Sequence, residues 1–121
     1  MSASPHSKRI AELNDQLRAR AGVPLFGTGV PGKILMTRGI ADLPPLVQLE
    51  VWSGVKRFDR FSEDNDPYGE HDFGALDIEG AGKVFWKIDY YADAACRYGS
   101  EDPADPKKSY RVLTVMLASE Y

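Results

Sequence analysis

An α+β fold in two layers, with two N-terminal helices packed on a small antiparallel sheet made of a hairpin and a C-terminal strand, is what this sequence predicts. Three observations lead to it. Apolar residues recur at helical spacing between Ser7 and Phe58, they alternate from Lys83 to Tyr91, and a Val- and Thr-rich run fills Tyr110 to Ser119. At 121 residues, 43% hydrophobic and 11% aromatic, the chain has the apolar surface to fold as one domain spanning 1–121, with residues 1–6 as a flexible tail.

Each element has its own signal. Ile10, Leu13, Leu17 and Ala21 lay a narrow apolar stripe along a helix from Ser7 to about Ala21, opposite Lys8, Arg9, Glu12, Asp15 and Arg18. Gly22 stops that helix, the breakers of Val23 to Gly32 make a loop, and Lys33 to Thr37 form a short strand. Asp42 as N-cap, with Pro44 and Pro45 in the first turn, predicts a second helix from about Leu43 to Arg57. Its core face carries Val47, Val51, Val55 and Phe58. Trp52 points away from that face, either packing as a second layer or standing exposed as a partner anchor, with Leu46 and Leu49 beside it.

Asp72 to Glu79 and Lys83 to Tyr91 flank Glu79-Gly80-Ala81-Gly82 and read as a hairpin. Ser100 to Lys108, with Asp102-Pro103 and Asp105-Pro106, is a turn-rich loop. Tyr110 to Ser119 is expected as a strand, a buried helix being the rival because Val112, Leu113, Val115, Met116 and Leu117 suit both.

Charge and cysteine content narrow the function classes. The formal net charge is −3, and it is uneven: residues 1–60 carry nine Lys or Arg against five Asp or Glu, and residues 61–121 carry six against thirteen. Direct duplex nucleic acid is not expected as a partner, since phosphate neutralisation needs a basic surface. Cys96, a single cysteine, makes neither an intramolecular disulfide nor a cysteine-based zinc site. The polar Met1 to Arg9 stretch and a longest apolar run of four residues, Val115 to Ala118, give no signal peptide or membrane span. A reducing, cytoplasmic location is expected.

One segment looks chemical. Asp59, Glu63, Asp64, Asp66, Glu70 and Asp72 crowd a stretch in which Arg60 is the lone cation and His71 sits among the last acids. Such density requires solvation, cationic partners or a metal ion. Asp64, Asp66, Glu70, His71 and Asp72 could supply a calcium or magnesium site, the centre of a metal-dependent hydrolase. The EF-hand register fails, however, because Tyr68 and Ala75 fall where ligands are required. His71 could serve as a general acid or base with Asp89 or Tyr90 from the neighbouring strand, yet no nucleophile or phosphate loop accompanies it. The Asp-then-Asp/Glu-x-Lys arrangement of many nucleases is broken by Phe85 ahead of Lys87.

The favoured reading is recognition without catalysis and without a cofactor. Asp64-Asn65-Asp66-Pro67-Tyr68-Gly69 are turn formers, and the acids interleaved with aromatics make a face for a protein partner, including a basic nucleic-acid-binding protein. The candidate contact residues are Glu63, Asp64, Asp66, Tyr68, Glu70, Asp72, Trp52 and Tyr90.

The run from Ser62 through Asp66-Pro67-Tyr68-Gly69-Glu70-His71-Asp72 to Gly74, followed by Trp86-Lys87-Ile88-Asp89-Tyr90-Tyr91, resembles a small bacterial family known as domain of unknown function 3768. Thr37-Arg38-Gly39-Ile40, Tyr98-Gly99-Ser100, Arg111 to Ala118 and Glu120-Tyr121 agree with it, so that the similarity covers roughly Ile10 to Tyr121. The resemblance implies no activity. It implies a setting on plasmids and other mobile elements, and with it an accessory or anti-defence role such as inhibition of a CRISPR or restriction complex.

Overall fold

The computed structural model describes residues 4–21 and 29–121, and among these three α-helices, a short 3-10 helix and a four-stranded sheet carry the chain. The helix stop at Gly22 and most of the loop from Val23 lie outside the described residues, as do positions 1–3 of the expected tail. Positions 4–6 are not tail. Ser4 accepts a hydrogen bond from the Ser7 amide and Pro5 opens α1 (Pro5–Arg18), an arrangement that satisfies one of the orphan N–H groups of the first turn.

The buried stripe of α1 is wider than the apolar spacing indicates, since Asn14 and Arg18 are buried alongside Ile10, Leu13 and Leu17. Arg18 was expected on the polar side. Instead its Nη1 donates to the carbonyls of Val55 and Phe58, both at 2.8 Å, closing the carbonyl end of the next long helix. Those acceptors are what make a buried guanidinium tolerable.

After β1 (Gly32–Met36), a short helix α2 (Arg38–Ala41) precedes α3 (Pro45–Arg57). Asp42 therefore does not cap the second long helix; it is the C-cap of α2, and Pro44 occupies the N-cap of α3. The extra turn owes its start to a distant residue, because Glu120 accepts from the Gly39 amide at 3.0 Å and from Thr37 Oγ1 at 2.5 Å.

The hairpin is β2 (Phe73–Ile78) and β3 (Gly82–Tyr91), and β4 (Tyr110–Leu117) is a strand, ending in a 3-10 turn at Ala118–Glu120. Gly80 and Gly82 take φ of 89° and 77°, the left-handed conformation that this turn requires. The sheet order is β1-β4-β3-β2. Its last three strands are antiparallel as expected, and β1 adds a fourth in parallel to β4, from Gly32 opposite Arg111 to Met36 opposite Val115.

Alternation along β3 and β4 sends Val84, Trp86, Ile88, Leu113 and Val115 to the helical side, where they join Leu17, Ile40, Val51, Val55 and Phe58 in the core. Trp52 packs against this cluster, half-buried, as a second layer.

Candidate functional site

The acidic segment between α3 and β2 is held from within by two of its own side chains. Asn65 Oδ1 accepts from the Ser62 amide at 2.9 Å, while its Nδ2 donates to the Arg60 carbonyl at 2.8 Å. Asp66 is buried, and its Oδ1 accepts from the Glu70 amide at 3.1 Å and the His71 amide at 3.2 Å. Gly69 and His71 turn the chain through the left-handed region, at φ 69° and 57°, in the segment that delivers both amides to one carboxylate. The Asx-type chemistry that makes Asp and Asn turn formers therefore builds the loop.

His71 then joins the loop to α1. Its ring stacks on Phe61 with centroids 3.8 Å apart and 2° between planes, and Nδ1 lies 3.0 and 3.1 Å from the two oxygens of Asp15. A carboxylate only accepts, so in this contact Nδ1 carries the proton. Asp15 also takes Arg18 Nη2 at 3.0 Å, and His71 Nε2 stands 3.8 Å from Asp66 Oδ2, too far for a hydrogen bond.

A second set of polar contacts runs deeper. The Tyr90 hydroxyl donates to Glu70 Oε1 at 3.1 Å and accepts from Asn14 Nδ2 at 2.8 Å, and the same amide donates to the Glu70 carbonyl at 2.9 Å. Asn14 Oδ1 accepts from Arg111 Nε at 2.6 Å, and Arg111, fully buried, also donates to Ser109 Oγ and the Pro103 carbonyl. The Arg111 guanidinium lies 5.0 Å from the Tyr90 ring centre. Burial, reinforced by the charges of Asp72 and Glu70 against the donation from Asn14, pushes the Tyr90 hydroxyl far above the ordinary phenol range, so it remains a donor. Burial lowers the Arg111 pKa, and burial followed by the charges of Glu70 and Asp66 raises that of Asp72.

Between the first turn of α1 and this loop opens a cleft of about 470 Å³, lined by Ser4, Ser7, Phe61, Ser62, Glu63, Asp66, Pro67, Tyr68, Gly69 and His71. Neither Lys nor Arg is among the described residues that line it.

The expected contact residues thus divide. Glu63, Asp66 and Tyr68 meet at the cleft, although Asp66 serves the backbone. Asp64 is exposed on the same loop, Glu70 and Tyr90 belong to the inner network, and Asp72 is half-buried. Asp89 does not pair with His71; it holds Lys87 Nζ at 2.9 Å, and the carboxylate at the imidazole is Asp15. The five expected metal ligands Asp64, Asp66, Glu70, His71 and Asp72 are not drawn into one ligand set. Among the described residues no three His, Cys, Asp or Glu side chains converge in that way, and Asp66, Glu70 and His71 hold other partners.

Sequence reasoning missed Asn14, Asp15, Arg18 and Arg111 as site residues. Two of these carried a signal: Asn14 falls inside the helical stripe between Leu13 and Leu17, and Arg111 shares the alternation of Leu113 and Val115. Nothing in the linear order links Asp15 to His71.

Among the described residues, no helix is long and apolar enough to cross a membrane. No curated protein and no solved structure matches the chain. Residues 36–120 match the model of the family described as protein of unknown function (DUF3768), and the chain belongs to that family.

Proposed function

We propose that this protein acts by binding a basic protein partner, which seats a Lys or Arg side chain in the cleft between α1 and the acidic loop. The observation that carries the reading is the lining itself: among the described residues it brings together two carboxylates, Glu63 and Asp66, and two aromatic rings, Phe61 and Tyr68, with His71 but neither Lys nor Arg. A guanidinium or ammonium entering such a cleft gains charge attraction and the exposed ring of Tyr68, Phe61 being already stacked on His71. Tyr68, 74% exposed in the free protein, becomes a desolvated anchor when the partner covers it. Nucleic acid itself is disfavoured at this face, since its phosphates would meet carboxylates.

In its sharper form the reading has the acidic face occupying the basic groove of a nucleic-acid-binding protein. The setting implied by the family resemblance, an anti-defence factor acting in the cytoplasm on a CRISPR or restriction complex, fits that form. The test is the double variant Glu63→Lys with Tyr68→Ala, both on the surface, compared with the unaltered protein as bait in cell extract. A basic protein retained by the parent and lost by the variant, at an unchanged melting midpoint, supports the reading. Retention of the same proteins by both refutes it.

A further inference from the structure

We infer that the outer edge of β2 is a docking site for an extended peptide segment of a partner protein, which adds to the sheet as a fifth strand. The sheet order leaves β2 at an edge. Its phase is fixed by the Ile88 amide donating to the Asp72 carbonyl at 2.9 Å, which makes residues 72, 74, 76 and 78 the ones bonded to β3. By alternation, the N–H and C=O groups of Ala75 and Asp77 point away from β3, and both residues are exposed. Strand addition uses such outward groups for affinity and the flanking pockets for selectivity.

The flanks here are built by α3. Gly54 of α3 lies over Leu76, a Cβ at that position meeting Leu76 Cδ1 at 3.1 Å, so that the helix runs close beside the strand. Toward the end of α3, a groove of about 340 Å³ passes between Gly54 and Ala75 to Ile78, its charges mixed, with Arg57 and Arg60 beside Asp59 and Asp77. Toward its start, a second of about 530 Å³ continues past Ile78 between Leu46 and Leu49, which are 77% and 63% exposed.

The charges around the second groove select the occupant. Glu50, Asp77 and Glu79 line it with no Lys or Arg. An apolar floor with an all-acidic rim fits a segment that places an aliphatic side chain between Leu46, Leu49 and Ile78 and a Lys or Arg beside it. This surface shares no lining residue with the cleft of the acidic loop, so the inference stands apart from that reading.

The probe is a synthetic hexapeptide of alternating valine and lysine, followed by amide exchange and by chemical shifts of the labelled full chain. Binding should slow exchange of the Ala75 and Asp77 amides at least tenfold and shift Leu46, Leu49 and Glu79. Ala75→Pro removes an outward N–H and leaves the bonds to β3 in place, so it should preserve the fold and weaken the peptide at least tenfold. Should that variant not fold, a peptide N-methylated on alternate backbone nitrogens should lose binding to the unaltered protein by the same factor. Binding indifferent to both changes, no binding, or concentration-dependent pairing of two copies through β2 would each overturn the inference.

Discussion

Asp64 and Asp66 are two residues apart in the same acidic run, and their replacement should have very unequal consequences for stability. Asp66 is buried and accepts the amides of Glu70 and His71, whereas Asp64 is exposed. Asp66→Ala leaves two inward-facing N–H groups without an acceptor, at about 1–2 kcal/mol each once water is admitted, or about 2–4 kcal/mol together. A chain of 121 residues unfolds with an entropy of roughly 0.25 kcal/mol per degree, so the midpoint should fall by about 8–16 °C. Asp66→Asn keeps Oδ1, the atom that receives both amides, and should fall by less than half as much. Asp64→Ala should stay within about 0.5 kcal/mol of the parent. Thermal melts of the three variants decide it. If Asp66→Ala melts with Asp64→Ala, the carboxylate is not what holds the loop, and the assignment of Asp66 to structure is wrong.

Replacing Arg111 with Met should cost about 2–4 kcal/mol in urea unfolding, because Asn14 Oδ1, Ser109 Oγ and the Pro103 carbonyl lose their donor in a buried setting; an unaltered midpoint would refute this. Asp72 has a folded pKa raised above 3.8 by burial and by Glu70 and Asp66, so its contribution to stability is full below 3.8 and is lost as pH rises through the raised value. Asp72→Asn should therefore melt higher than the parent at pH 7, and the gap should close in melts taken below pH 3.8. Glu120 has the opposite sign. Its pKa is lowered from 4.5 by the Thr37 hydroxyl first, then by the Leu117 and Gly39 amides, so its contribution is present above 4.5 and is lost as pH falls through the lowered value. Glu120→Gln should remove that part of the acid-side loss, and a parent-like pH profile in the variant would contradict the assignment.

Local signals made the elements readable, and long-range partners account for what was not. The alternation of Val84, Trp86, Ile88 and the spacing of Ile10, Leu13 and Leu17 are carried by neighbouring residues, so periodicity finds the hairpin and the first helix, although the Ser4-Pro5 start of α1 reads as tail. The parallel pairing of β1 with β4 joins residues some eighty positions apart, and α2 is opened by Glu120 from a similar distance. Composition alone cannot report either. The candidate site follows the same division. Its acidic loop stood out by charge density, but which carboxylate faces the backbone and which faces solvent depends on the left-handed turns at Gly69 and His71.

The family match begins at Met36, yet the loop is completed by α1, which lies ahead of that span. Asn14 holds the Glu70 carbonyl and the Tyr90 hydroxyl, Asp15 holds the His71 ring, and Arg18 holds the carbonyl end of α3. These three residues occupy little more than one turn, so a single rigid segment reaches the loop, the sheet and the second long helix together. Ser4 and Ser7 at the start of the same helix form one wall of the cleft, and the loop forms the other. The width of the cleft is thus set by the seating of α1, and the contacts that seat it are polar ones whose geometry is directional, unlike the buried apolar stripe of Ile10, Leu13 and Leu17. Apolar burial holds α1 to the protein; Asn14, Asp15 and Arg18 fix where along the sheet it stops, and with it the width of the cleft.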